Sequence, residues 1–174
     1  MFHKGKEMNM NDISIEQILK VNPPKYAMPL KILMIVLSVL SVVLIPSIMA
    51  IGVLLTVGLI AFTVIMFRYY DYEYEYSLVE KELTVDRITA KSSRRRCGVY
   101  DVAKLVVMAP AGSEKLESYE RQNCKSYNYS SNTDPSATYV LFIPSNKEMV
   151  RVVLEPNEAM KQAIWEMGPS KVTL

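Results

Sequence analysis

Residues 32–67 read ILMIVLSVLSVVLIPSIMAIGVLLTVGLIAFTVIMF, a stretch without a single Asp, Glu, Lys, Arg or His. One helix through it would be about 54 Å long at about 1.5 Å per residue, whereas the hydrocarbon core of a bilayer is about 30 Å thick. Pro46 lies near its middle, and proline favours a break or a kink in a helix. We therefore expect a two-helix transmembrane hairpin over residues 26–68, with helices at about 27–45 and 48–67.

The residues that flank the apolar stretch predict its orientation. Lys25 and Lys31 precede it and Arg68 follows it, whereas the central turn carries no charge. Under the positive-inside rule, both ends then face the cytoplasm, with Tyr26 and Tyr69 in an aromatic belt on that side. The expected location is the cell (inner, cytoplasmic) membrane with both termini cytoplasmic. A single long kinked helix that tilts or extends out of the membrane is the alternative.

Residues 1–25 are predicted to form a cytoplasmic N-terminal segment with a short amphipathic helix. Asp12 or Ser14 would cap this helix, and its apolar stripe would consist of Ile15, Ile18 and Leu19. Two positions remain open for the helix, either on the inner leaflet or packed against the soluble part of the chain.

Residues 69–174 are long enough for one soluble domain with its own core. Tyrosines and acids alternate over residues 70–76, which predicts a strand with one aromatic core face and one acidic, solvated face. Further strands, hairpins and a final helix after Pro156 follow. A polar insert at residues 112–137 is expected to contain a short helix and then a loop over 123–136. The predicted fold class is therefore a membrane α-hairpin plus an α+β domain, in which an antiparallel bent sheet or partly open barrel is capped by a C-terminal helix.

This order of elements resembles the bacterial membrane-attached proteins with a pleckstrin-homology-like (PH-like) domain, a small family with an N-terminal two-helix membrane hairpin. The resemblance rests on the hairpin that leads into Tyr-x-Tyr-x-Tyr, on Glu82-Leu83-Thr84-Val85-Asp86, on the arginine-rich turn, and on Tyr100-Asp101-Val102-Ala103-Lys104-Leu105. It implies a seven-stranded bent sheet with a capping helix. It implies no activity, because domains of this fold act as scaffolds and a fold does not specify a function.

The sequence lacks the residue sets that most enzymes and cofactor sites require. His3 is the only histidine, so no histidine-based triad is available, and neither a GxGxxG nor a GxxxxGK loop occurs. Cys97 and Cys124 are far apart and form no CxxC motif. The balance of 20 Lys+Arg against 18 Asp+Glu disfavours a nucleic-acid partner. We therefore expect no enzyme, no catalytic residues, no cofactor and no metal.

The candidate site is a basic cluster for contact with anionic lipid headgroups, consisting of Lys91, Arg94, Arg95 and Arg96. Each basic residue near an anionic leaflet contributes about 1 kcal/mol. The alternative is a solvated hairpin turn. The same arginines stand next to Cys97, which predicts either a lowered thiol pKa or an ordinary, partly buried cysteine at a strand end.

The predicted function is that of a non-enzymatic integral membrane protein that presents a cytoplasmic PH-like binding or scaffold domain. Its expected partners are the lipid bilayer, anionic lipid headgroups and a membrane protein. The alternative is an accessory or regulatory subunit of a larger membrane complex, such as a transporter.

Overall fold

The computed structural model of the chain describes residues 14–48, 50–89, 92–131, 133–145 and 148–174. The expectations for His3, Asp12 and Lys91 lie outside these residues. Contacts between Cα atoms divide the chain into two compact units. One unit contains Glu73–Arg87 and Arg94–Leu174 together with the chain up to Val21, and the other contains Asn22–Tyr72 and Ile88–Ser93.

Two long apolar helices, α1 (Ala27–Ile48) and α2 (Ala50–Tyr70), pack against each other in antiparallel orientation. The Tyr26 ring lies 6.3 Å from the Tyr70 ring at one end of the pair, and Ser38 Oγ lies 3.3 Å from Thr63 Oγ1 further along it. The predicted break at Pro46 is wrong, because α1 runs through this residue. Proline inside a helix removes one hydrogen-bond donor and crowds the carbonyl four residues earlier, and α1 ends two residues after Pro46, at Ile48.

The two helices bury one narrow face each and leave the rest exposed. The shielded positions of α2 recur every three or four residues, as at a helix–helix seam: Gly52, Thr56, Leu59, Thr63 and Met66. Among the described side chains, Ile51–Tyr70 is the one helical segment long and apolar enough to span a bilayer, and Ala27–Val43 is a shorter apolar segment.

The first sheet has four strands in the order β1 (Ser14–Lys20), β2 (Tyr72–Val79), β3 (Glu82–Thr89) and β4 (Ser93–Asp101). Strand β1 pairs antiparallel with β2, which lies beyond both long helices in the sequence.

The predicted short amphipathic helix is wrong in the described part of this segment, because Ser14–Lys20 form β1. Ile15, Gln17 and Leu19 are partly buried, whereas Ile18 between them is 62% exposed. This alternation has the period of a strand, and pairing with β2 satisfies the backbone groups. In addition, Gln17 donates to the Glu155 carbonyl (2.8 Å) and accepts from the Asn157 N–H (2.7 Å).

The second sheet also has four strands, and its spatial order is β5, β7, β8, β6. The strands are β5 (Val107–Pro110), β6 (Lys125–Asn128), β7 (Tyr139–Ser145) and β8 (Glu148–Leu154). Strand β6 runs parallel to β8, and the other pairs are antiparallel. The loop predicted for residues 123–136 therefore contains a strand, and this sheet is mixed. The polar, exposed sequence of β6 has no apolar alternation that would reveal a strand.

Two further α-helices complete the described part of the chain. Helix α3 (Glu114–Glu120) follows Ser113 at its N-cap, close to the predicted short helix in the insert. Helix α4 (Glu158–Met167) confirms the predicted C-terminal helix, and the Asn157 side chain caps it by accepting from the Met160 N–H at 2.9 Å.

The main core draws on both sheets and on α4. Tyr76 and Leu83 come from the first sheet, Leu141 from the second, and Met160 and Ile164 from α4; all five are fully buried. The eight strands of the described residues form two sheets that do not close into a barrel, so the single bent sheet of seven strands is corrected to two four-stranded sheets.

Candidate functional site

The three consecutive arginines lie on strand β4 and not in a turn. Their exposure agrees with the position of β4 at the edge of the first sheet, where Ser93 to Arg96 are all exposed. The β-strand geometry sends alternate side chains to opposite faces, so Arg94 and Arg96 share one face. This face is the one that β2 and β3 turn away from the main core.

Two buried acids lie on the same face as Arg94 and Arg96. Glu75 of β2 is 8% exposed and Asp86 of β3 is 6% exposed. Arg94 forms an ion pair with the Glu75 carboxylate, and its Nη1 lies 3.9 Å from Asp86 Oδ2. Arg96 Nε lies 3.5 Å from Asp86 Oδ1. We call these four residues the ionic cluster.

The ionic cluster changes two expectations from the sequence. Glu75 does not lie on a solvated acidic face, because the arginines of β4 cover it and pair with it. The positive charges of Arg94 and Arg96, two of the predicted lipid-contact residues, are partly neutralised by these acids. Among the described residues, Arg95 forms no ion pair.

The exposed parts of Arg94 and Arg96 can still donate hydrogen bonds to a ligand. The Arg94 and Arg96 side chains are 58% and 67% exposed, so guanidinium N–H groups still reach solvent. A guanidinium offers five donors in a fixed plane and is suited to phosphate oxygens. Arg94, Arg95 and Arg96 against Glu75 and Asp86 leave an excess of about one positive charge, compared with three for the arginines alone.

Cys97 follows the arginines on β4 and packs against the main core. Burial raises the pKa of its thiol, and this effect outweighs the nearby Arg87 and Arg95, which lower it. The hypothesis of an activated thiolate is therefore wrong. No group of three or more His, Cys, Asp or Glu side chains among the described residues is arranged to hold a metal ion.

A network of tyrosines joins the first sheet to the polar insert. The Tyr76 hydroxyl donates to the Tyr129 carbonyl (2.8 Å), and the Tyr100 and Tyr129 hydroxyls are 2.9 Å apart. The Tyr74 ring contacts the Tyr129 ring edge-on at 5.5 Å. Burial raises the pKa of both Tyr76 and Tyr129. The predicted core role is confirmed for Tyr76, which is fully buried, and Tyr74 is partly buried and packs against the main core. Tyr72 is partly buried, and Tyr70 belongs to α2.

Sequence reasoning missed two residues of the insert that bind it to the domain. Tyr129 is buried in the main core, and Ser131 donates its backbone N–H (2.8 Å) and its hydroxyl (2.7 Å) to the buried carboxylate of Glu155. The only signal for them is the Tyr127-Tyr129 alternation within a polar stretch. The insert is therefore an integral part of the fold.

Comparison with known protein families matches nearly the whole chain. A family model described as Bacterial PH-like domain (DUF6106) matches residues 11–174. No curated protein matches the chain. No solved structure matches it either. The family match includes β1, both long helices and the two sheets.

Proposed function

The chain belongs to the bacterial PH-like domain family, and on that premise we propose that it is a non-enzymatic integral membrane protein whose two long helices anchor a cytoplasmic PH-like binding or scaffold domain. The observation that carries the proposal is the apolar surface of α1 and α2 outside their mutual seam. Leu54 is 76% exposed, and most large apolar side chains of both helices are likewise exposed. An apolar patch of this extent is typical of a surface that lipid or protein covers.

The pairing of β1 with β2 supports a hairpin over a single long helix. Lys20 pairs with Glu73 at the end of this ladder, and only residues 21–26 and Asp71 separate the strands from the helices. Adjacent strands lie about 5 Å apart. A single helix of about 54 Å would carry its two ends far beyond what these short connections span. This connectivity supports an even number of crossings.

The chemistry at one end of the helix pair supports its assignment as the interfacial end. The Tyr70 ring contacts the rings of Tyr26 and Tyr69 there, and Lys31 Nζ lies 4.8 Å from the centroid of the Phe67 ring. Tyrosines and snorkelling lysines are enriched at the membrane–water interface. Arg68 adds a positive charge at the same end, which under the positive-inside rule faces the cytoplasm.

Fractionation and labelling test the membrane assignment. We expect the expressed chain to remain with membranes after alkaline carbonate washing. In a chain whose Cys97 and Cys124 are replaced by alanine, Ser47→Cys in the last turn of α1, close to the start of α2, should react with a membrane-impermeant maleimide on whole cells. Lys81→Cys in the β2–β3 turn is the matched control and should react only after lysis. Recovery of the chain in the soluble fraction, or the reverse labelling pattern, contradicts the proposal.

We propose a role for Arg94, Arg95 and Arg96 in contact with anionic lipid headgroups, weakened by the ionic cluster; Lys91 belongs to the same proposed contact. The full chain in vesicles carries a fluorophore at Ser92→Cys, and brominated lipids report its proximity to the bilayer. Quenching should increase with anionic lipid and return to the zwitterionic level when the three arginines become serine. Arg121→Ser on the segment after α3 is the control. Equal quenching in both lipids would contradict the proposed contact with anionic headgroups but not the proposed membrane anchor.

A second candidate function is that of an accessory subunit of a larger membrane complex. A small apolar groove of about 260 Å³ on the helix pair favours it, lined in part by Val39, Val42 and Ile60 beside the Ser38–Thr63 pair. A partner helix in this groove should cross-link to the chain in native membranes. The cross-link should disappear with Ser38→Leu and persist with Val53→Leu on an exposed position. A cross-link that survives both changes contradicts this function.

A further inference from the structure

The segment after α4, residues 169–174, runs along the outer edge of strand β5. We call it the tail. The Met108 N–H donates to the Lys171 carbonyl (2.8 Å), and the Thr173 N–H donates to the Met108 carbonyl (2.8 Å). These bonds form a single parallel bridge between Met108 and Val172. The tail thus occupies the edge of β5 that β7 leaves open.

A single buried side chain anchors the tail to the main core. Val172 is 6% exposed and belongs to the main core together with Met108 and Ile164. Pro169, Ser170, Lys171 and Leu174 are exposed. A further hydrogen bond joins Lys115 Nζ of α3 to Thr173 Oγ1 at 3.0 Å, between two exposed side chains.

These contacts are few for the number of residues that they order. Two backbone hydrogen bonds to β5, one turn hydrogen bond from the Lys171 N–H to the Gly168 carbonyl, the exposed Lys115–Thr173 bond and one buried valine act against the conformational entropy of the whole tail. Segments with so little buried area open at a small fraction of the global unfolding free energy. An opened tail exposes both an unpaired strand edge and an apolar site in the core, and such an edge accepts an added strand.

We propose that the edge of β5 is a strand-docking site, which the tail occupies in cis and an extended segment of a partner protein occupies in trans. The partner segment that fits has a β-branched apolar residue at the place of Val172. Its neighbours on either side supply the carbonyl and the N–H that pair with Met108. The site is independent of the membrane anchor and of the arginines on β4.

Peptide binding tests this site on the full membrane chain in detergent micelles. The variant ends at Gly168 and therefore lacks the tail, and the probe is a fluorescent peptide with the sequence of residues 168–174, GPSKVTL. We expect the truncated chain to bind the peptide at least tenfold more tightly than the intact chain does. The control peptide, with aspartate in place of valine, should not bind. Equal binding of both peptides, or none, by a folded truncated chain overturns the proposal.

A second variant keeps the test decisive if removal of the tail prevents folding. Val172→Thr retains the shape of the side chain and places a hydroxyl in an apolar site, so it weakens docking in cis without a cavity. Its affinity for the probe peptide should lie between those of the truncated and intact chains. Hydrogen exchange at the Thr173 amide should accelerate in this variant, while exchange at the centre of β7 stays unchanged. Absence of both effects also contradicts a displaceable tail.

Discussion

The two sheets cover their outer faces by opposite means. On the first sheet, Glu75 and Asp86 are buried beneath Arg94 and Arg96, which remain half-exposed. On the second sheet, apolar residues that point away from the main core are buried beneath α3. Phe142 packs against Tyr119 of this helix with 5.5 Å between the ring centroids.

This difference explains why one sheet is easier to interpret from sequence than the other. An unbroken apolar run such as Tyr139–Ile143 implies burial on both faces, because no polar residue marks a solvated side. The alternating acids of β2 imply a solvated face, yet Glu75 is buried because a basic strand beside it supplies partners. Periodicity reports the chemistry of a face, whereas burial depends on what packs against it.

The largest loss of stability is expected for a substitution on the apolar outer face of the second sheet. Phe142→Ala should lower the free energy of unfolding by about 3–5 kcal/mol, because it leaves a cavity between β7 and α3. Denaturant unfolding of the chain in detergent, followed by far-UV circular dichroism, measures this loss. Met149→Ala on the neighbouring strand is only partly buried and serves as the control. A loss below that of the control would contradict the role of α3 as a cover.

Substitutions in the ionic cluster on the first sheet should lower the free energy of unfolding by less. Glu75→Ala should cost roughly 1.5–3 kcal/mol, because it removes a charge-assisted hydrogen bond and leaves Arg94 without its main partner. Glu73→Ala, two residues earlier on the same strand, is the matched control. The double change Glu75→Leu with Arg94→Leu should restore most of the loss, since apolar pairs replace buried ion pairs well. A double variant that is less stable than Glu75→Ala would contradict the expectation that an apolar pair can replace this ion pair.

Gly98 on β4 tests the packing of the buried Tyr100 ring against this strand. A Cβ atom at this position would lie 2.5 Å from the Tyr100 hydroxyl oxygen, so Gly98→Ala displaces the Tyr100 ring. This displacement disturbs the Tyr100–Tyr129 hydrogen bond and should cost about 1–3 kcal/mol in thermal unfolding experiments. Gly58→Ala on α2, where a Cβ meets nothing within 4 Å, should leave the unfolding transition unchanged.

The smallest effect at neutral pH is expected at the tyrosine network. Tyr76→Phe removes the hydrogen bond to the Tyr129 carbonyl and should cost about 1 kcal/mol at pH 7. Because burial raises the pKa of Tyr76 in the folded state, the unfolded chain loses its phenolic proton first. Stability is therefore complete below about pH 10 and falls above it by up to about 1.4 kcal/mol per pH unit for this group. The phenylalanine variant should show a shallower alkaline decline, and an equal slope would contradict the linkage.

Much of the architecture was predictable because its signals are local. The charge-free stretch at residues 32–67 indicates two apolar helices, the run before Pro144 indicates a buried strand, and Pro156 indicates the start of the last helix. Each of these features depends on hydrophobicity, backbone dihedrals or capping within a few residues. The membrane assignment and the PH-like resemblance rest on the same kind of signal.

Three features depend on residues that are distant in the sequence. β1 is a strand because β2, beyond both long helices, offers its edge. β6 is a strand because β8 pairs with it in parallel. The arginines of β4 lie over Glu75 and Asp86 because three strands bring them together. The amino-acid sequence alone therefore determined the helix pair, the hairpins and the chemistry of each face, since these follow from local physical preferences. The tertiary structure decided which polar groups are buried and which edges are paired, since backbone hydrogen bonds and ion pairs form between whatever segments the fold brings into contact.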